Sequence, residues 1–218
     1  MSNLSLPNGT VWYCIAMSTE TNTTRRGRPR NPAVDTAILD AARYVLARRG
    51  FTGTSMDEIA RQAGVGKDTL YRRWKSKEDL VLHLLTVLSE QQVPVPQLDD
   101  PRYALFVFLQ DIVRVNLRSE IGPIIAGVVG ESSRNQRLAD GFQLYWKQRR
   151  TIPAGMIRKI VPVATTDAEI EVILDHILGP IYYRILLTGA PADDEYLWDL
   201  IGTIPWSSEE QLNQIDHI

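Results

Sequence analysis

The sequence predicts an all-α fold, a small head of short helices followed by a larger helical body. Three observations predict it. Apolar residues recur at intervals of three and four wherever the chain is periodic, no segment alternates with period two, and cap residues, glycines and prolines punctuate the periodic stretches.

Residues 1–24 show no periodicity and are rich in Ser, Thr and Asn, so they read as an irregular leader. A second methionine, Met17, opens a hydrophilic run, and translation is expected to start there. The first helix is marked by Val34, Ile38, Ala41, Ala42, Val45 and Leu46 on one face. It ends at Arg48-Arg49-Gly50, with cations in the last turn and a glycine free to take a left-handed cap. A second helix opens at Ser55-Met56-Asp57-Glu58, a Ser-x-x-Glu capping box, and carries Ile59, Ala60 and Ala63. Gly64-Val65-Gly66 interrupts it, and a short third helix follows over Lys67 to Trp74, with Leu70 and Trp74 facing inward. Ser76-Lys77-Glu78-Asp79 starts a fourth, with Leu80, Leu84, Leu85 and Leu88. After Pro94 and Pro96, Asp99-Asp100-Pro101 caps the next, with proline at its first position. Further helices are expected around Leu105 to Ile112, Ile124 to Val129, Arg137 to Ile160 (disturbed at Pro153), Ile170 to Ile185 (with Gly179-Pro180 inside) and after Asp193-Asp194.

Composition narrows the class. Hydrophobic residues make up 44% of the chain, enough for a packed core. The apolar stretch Val11 to Met17 is too short for a bilayer and lacks the flanks of a secretory signal. The single cysteine, Cys14, permits no internal disulfide, which fits a reducing cytoplasm and makes the sequons at Asn8 and Asn22 accidental. Overall charge is only −2, but residues 25–80 hold 13 Lys and Arg against 7 Asp and Glu, a net of +6. The remainder is therefore acidic, at −8. A basic segment on an acidic body suits a phosphate-binding head.

Two short helices joined by Gly64-Val65-Gly66 make a helix-turn-helix, in which one helix enters the major groove while its neighbour braces it. The stretch from Ile38 to Lys77, including Gly50-Phe-Thr-Gly-Thr-Ser-Met-Asp-Glu-Ile-Ala and Ala63-Gly-Val-Gly-Lys-Asp-Thr-Leu-Tyr-Arg-Arg-Trp, resembles the DNA-binding head of the tetracycline-repressor (TetR) family. The run Leu178-Gly-Pro-Ile-Tyr-Tyr-Arg-Ile-Leu-Leu-Thr-Gly resembles part of one group of that family's sensor domains. The resemblance implies about nine helices, a flexible arm over 1–30, a DNA-binding domain over 31–80 and a sensor and dimerisation domain over 81–218. It also implies a homodimer formed through the last long helices, a double-stranded operator, and release by an unidentified small-molecule effector.

By position, the resemblance places Ser55 and Met56 against the DNA backbone, and Lys67, Thr69, Tyr71 and Arg73 on the recognition helix. Lys77 matches a phosphate-contacting lysine. Gly66 stands where a serine is common, which removes a capping hydroxyl. Asp68 either accepts from a cytosine amino group or offsets the helix dipole. Upstream, Arg25, Arg26, Arg28 and Arg30 form an arm suited to a narrow minor groove or, alternatively, a solvated basic tail.

No catalytic or cofactor motif is present. Gly64-Val65-Gly66-Lys67 lacks the first glycine and the Ser/Thr of a phosphate-binding loop, and no Gly-x-Ser-x-Gly, HExxH or paired cysteines occur. His83 and His176 read as ordinary rim or core histidines; Glu171, Asp175 and His176 are neighbours on one helix, with a metal or pH-sensing cluster as the alternative to a solvated face, and no metal is expected. Phe106, Phe142, Trp146, Tyr182 and Tyr183 are candidate pocket residues in the body. Two rival functions remain at this stage: an enzyme with a helical head, or a protein-interaction adaptor or activator with no small-molecule effector.

Overall fold

The structure is a computed structural model that describes residues 31–206. The arm residues Arg25, Arg26, Arg28 and Arg30, together with Met17 and Cys14, lie outside the described residues. Among the described residues there are nine α-helices and no strand. They are α1 (Pro32–Arg49), α2 (Met56–Gln62), α3 (Lys67–Tyr71), α4 (Lys77–Gln92), α5 (Pro101–Arg118), α6 (Ile121–Ser132), α7 (Gln136–Arg158), α8 (Asp167–Tyr183) and α9 (Asp194–Gly202).

Side-chain caps set most of the boundaries. Ser76, Asn135, Thr166 and Asp193 each accept from the backbone N–H three residues on, and Asp100 accepts from both Arg102 and Tyr103 with Pro101 next to it. Gly50 closes α1 at φ 64°, its N–H bonded to the Leu46 carbonyl at 2.8 Å. Pro153 and Pro180 sit inside the continuous helices α7 and α8. Just beyond Pro180 the chain widens into a π-helical segment, Arg184–Thr188, which stops at Gly189 with φ 66°.

One apolar core runs through head and body. Ile38, Ala42, Val45, Ile59, Leu70 and Leu84 continue into Leu105, Leu109, Ile125, Leu138, Leu174 and Ile181. α4 makes that continuity possible, because it packs on α1 at one end and on α6 and α7 along its length. α7 is pinned to the head end of α4 by Asn135 to Glu78 at 2.9 Å and Arg137 to Asp79 at 2.8 Å. No helix among the described residues is long and apolar enough to cross a membrane.

Candidate nucleic-acid interface and buried cavity

The turn between α2 and α3 is a Schellman closure. Gly64 takes φ 65°, its N–H meets the Arg61 carbonyl at 3.2 Å, and Val65 reaches Ala60 at 3.0 Å. Only a residue tolerant of positive φ closes α2 this tightly. At the other end of α2, the Ser55 hydroxyl accepts from the Glu58 N–H at 3.2 Å. The reciprocal half of the expected capping box is replaced: the Glu58 carboxylate pairs with Arg49 at 3.0 Å and Arg61 at 3.7 Å. Cationic donors bind a carboxylate more strongly than one backbone N–H does.

The helical period decides what α3 presents. At about 100° per residue, Lys67, Asp68, Tyr71 and Arg72 share one face, and all four are exposed. Thr69 sits half-buried on the flank, Leu70 is fully buried, and Arg73 points inward. The Arg73 side chain is only 11% exposed; it is paired with Asp35 of α1 and donates to the Thr69 carbonyl at 3.2 Å. Arg73 thus straps α3 to α1. Lys67 pairs with Asp57 of α2, a hydrogen bond that raises its pKa above the ordinary lysine value. Lys77 is a latch: its ammonium donates to Phe51 O at 2.8 Å and Thr54 O at 3.0 Å, and lies 4.2 Å from the Phe51 ring centroid. Met56 is buried, so only its backbone N–H is available at the start of α2.

In the body, α4, α5, α6, α7 and α8 surround a cavity of about 30 Å³. Its walls are mostly apolar, with Phe108, Ile112, Val115, Ile125 and Leu178 facing it. The polar wall is Ser89, Asn116, Tyr145, Arg149, Arg150 and Tyr182. Ser89 and Tyr145 satisfy each other across 2.7 Å. Burial pushes the phenols of Tyr145 and Tyr182 above the ordinary tyrosine value, so both stay neutral. Arg150 is neutralised by Glu171 at 2.6 Å and Asp175 at 2.8 Å.

Comparison with known proteins decides what this arrangement belongs to. The profile of bacterial regulatory proteins of the tetR family matches residues 38–84, and that of the tetracyclin repressor-like C-terminal domain matches residues 95–204. The chain belongs to the TetR family. It is 31% identical over 180 residues to the HTH-type transcriptional regulator YdeS of Bacillus subtilis, covering 81% of this chain and 90% of that one. The crystal structure of the TetR family transcription regulator SCO0332 superposes with a TM-score of 0.65 at 28% identity, covering 85% of this chain and 98% of that one. The transcriptional regulator FadR from Bacillus subtilis, in complex with stearoyl-CoA, shares the fold at 18% identity and a TM-score of 0.60, with 78% and 96% covered. This TetR-family chain is therefore a helix-turn-helix transcriptional regulator, of a family that regulates transcription rather than catalysing reactions.

Of the five candidate pocket residues, two line this cavity and three lie elsewhere in the body. Trp146 and Tyr182 do line the cavity, with their rings 5.0 Å apart and edge to face. Phe106 instead stacks on Trp198 of α9 at 4.5 Å, closing α5 against α9. Phe142 faces a separate surface depression, and Tyr183 is 57% exposed. The sequence reading missed Ser89, Asn116 and Tyr145. A signal existed for one of them: Asn116 is a polar residue at helical spacing from Phe108, Leu109 and Ile112 on the face that faces the core. The carboxylates of Glu171 and Asp175 go to Arg150, and no group of three metal-binding side chains gathers among the described residues.

Proposed function

We propose that the protein is a homodimeric repressor that reads a near-palindromic operator in the bacterial cytoplasm and releases it when a small molecule enters the body cavity. The observation that carries the reading is the outward face of α3, where Lys67, Tyr71 and Arg72 stand clear of a helix braced from behind by Leu70, Trp74 and the Arg73–Asp35 pair. Residues 31–80 act as the DNA-reading head and 81–218 as the sensing and dimerising body. Lys67, Thr69 and Tyr71 meet bases and phosphates, Ser55 and the Met56 N–H meet the backbone at the start of α2, and Lys77 holds the α1–α2 loop while its remaining donor reaches a phosphate. Arg25, Arg26, Arg28 and Arg30 add phosphate or minor-groove contacts, and deleting residues 1–30 lowers the log–log salt slope by roughly 0.9 per lost contact.

Dimerisation draws support from α8, where Val172 and Tyr183, with Leu187 just beyond, expose apolar surface. A twofold pair sets two copies of α3 about 34–36 Å apart, one turn of DNA. Release draws support from α4, which carries Lys77 at the head and Ser89 at the cavity, roughly 18 Å apart along one rigid rod. A cavity this small has room for about two waters, so any effector must push its walls apart. FadR, which shares the fold, was crystallised in complex with stearoyl-CoA, which supports a small-molecule effector here and says nothing of its identity.

Footprinting on DNA upstream of the protein's own gene, repeated with a metabolite panel, tests the whole reading. Protection of no inverted repeat would sink it. Asp35→Asn sharpens the role of Arg73. If Arg73 positions α3, operator affinity falls about tenfold, whereas freeing it as a direct phosphate contact would raise affinity.

A further inference from the structure

Two polar groups in the cavity wall lack the partners their chemistry asks for. Asn116 is 7% exposed, and its orientation is fixed because its Nδ2 donates to the Ile112 carbonyl at 2.8 Å. Its Oδ1 is then left buried in the wall with no hydrogen-bond partner. Leaving a buried acceptor unsatisfied costs free energy that a ligand donor recovers. The second group is Arg149. Its neighbour Arg150 is neutralised by Glu171 and Asp175, but no carboxylate among the described residues pairs with Arg149. Its positive charge bears on the two buried phenols of the wall, Tyr145 and Tyr182.

Of the other polar groups, the Tyr182 hydroxyl meets the Asn116 side chain in a hydrogen bond that leaves Oδ1 open. Ser89 and Tyr145 hold each other, and the wall contains no acidic side chain. A neutral ligand leaves Arg149 uncompensated, a cation is repelled by it, and a ligand without a donor leaves Asn116 Oδ1 orphaned.

We propose that the cavity takes a compact apolar acid that also carries an O–H or N–H donor, its anionic group toward Arg149 and its donor toward Asn116 Oδ1. This rests on the effector reading above and adds the chemical class of the effector.

Calorimetric titration of the full-length protein with 4-hydroxybenzoate, benzoate, phenol and tyramine tests it. The hydroxy acid is expected to bind at least tenfold more tightly than benzoate, which lacks the donor, or phenol, which lacks the anion; tyramine is expected not to bind. Arg149→Gln removes the advantage over phenol, and Arg149→Lys restores most of it. Asn116→Val removes the advantage over benzoate and leaves that over phenol. Melting temperatures of the three variants separate these effects from loss of fold. Equal binding of phenol and 4-hydroxybenzoate, both blocked by the cavity-filling Ile125→Phe, overturns the assignment but keeps the cavity as an effector site. Binding of none of the four also overturns it, and the effector reading then stands or falls on the operator-release panel.

Discussion

Head and body are held together by different physics. In the head, α1 and the two short helices α2 and α3 bury a small core and are tied to one another by charge: Arg73 to Asp35, Lys67 to Asp57, and Glu58 to Arg49 and Arg61. In the body, the helices bury aliphatic and aromatic side chains around a cavity whose polar wall holds the Ser89–Tyr145 pair, the arginines Arg149 and Arg150, and the orphaned Asn116 Oδ1. The difference follows from task and size. A reading head keeps its cations at the surface for phosphates, and α2 and α3, of 7 and 5 residues, are too short to rely on apolar area alone. A sensing body needs a dry interior in which one unmatched polar group can select a ligand.

The comparison predicts that the head depends heavily on its few apolar anchors. Leu70 is fully buried in α3, so Leu70→Ala is expected to cost about 3 kcal/mol, within the range for core truncations. Urea denaturation gives the number. Operator binding should be lost at temperatures where the body remains folded, and simultaneous melting of both parts would contradict the division.

Next in size is the buried pair of the body. Ser89→Ala strands the Tyr145 hydroxyl in a buried site and is expected to cost about 2 kcal/mol. Tyr145→Phe is expected to cost less, because the Ser89 hydroxyl lies on α4 and can turn to a backbone carbonyl one helical turn back. Thermal melts of the two variants decide it, and equal losses would mean that Ser89 has no such escape.

Much of this was legible in the sequence. The caps at Ser55, Ser76, Asp100 and Asp193 place the starts of α2, α4, α5 and α9, the glycine at Gly64 places the end of α2, and the 3.6-residue period marks the helices between. What escaped is whatever depends on pairing across helices. The charge of Arg73 is visible in the sequence; its burial against Asp35, 38 residues earlier, is not. The family resemblance groups Lys67, Thr69, Tyr71 and Arg73 on the recognition helix, whereas the helical turn carries Arg73 to the opposite side from Lys67 and Tyr71. Aromatic residues were equally ambiguous: Phe106 and Trp146 have similar surroundings in sequence, and only packing sends one to α9 and the other to the cavity.

The junction of the two regions carries a pH dependence. Trp74, just past α3, donates its Nε1–H to His83 Nδ1 of α4 at 2.9 Å, with the rings tilted 35°. Burial lowers the His83 pKa below the ordinary histidine value, against the pull of Asp35 and Glu90. The unfolded chain therefore binds the extra proton first. Stability is intact above about pH 6.5 and falls as the pH drops through the lower folded-state value, when Nδ1 becomes a second donor facing Trp74. The expected loss is about 1 kcal/mol, the net worth of one hydrogen bond. Urea midpoints at pH 7.5 and 5.5 measure it. His83→Gln should flatten the difference, and a midpoint that rises on acidification would reverse the argument.

The smallest effect concerns Gly66, the residue before α3. It has ordinary extended angles, φ −69° and ψ 146°, and caps α3 with no side chain. A Cβ there would meet nothing within 4 Å, and the conformation is open to any residue. Gly66→Ser is therefore expected to stabilise the head by about 0.5 kcal/mol, partly through a capping bond to a free N–H of α3 and partly by restricting the unfolded chain. Contrast this with Gly64, whose φ of 65° makes the same substitution strained. Because the serine hydroxyl would stand at the start of the reading helix, operator affinity should rise together with stability. A gain in melting temperature with no gain in affinity would show that the N-terminus of α3 does not meet a phosphate, and would shift the contact to Lys67 and Tyr71 alone.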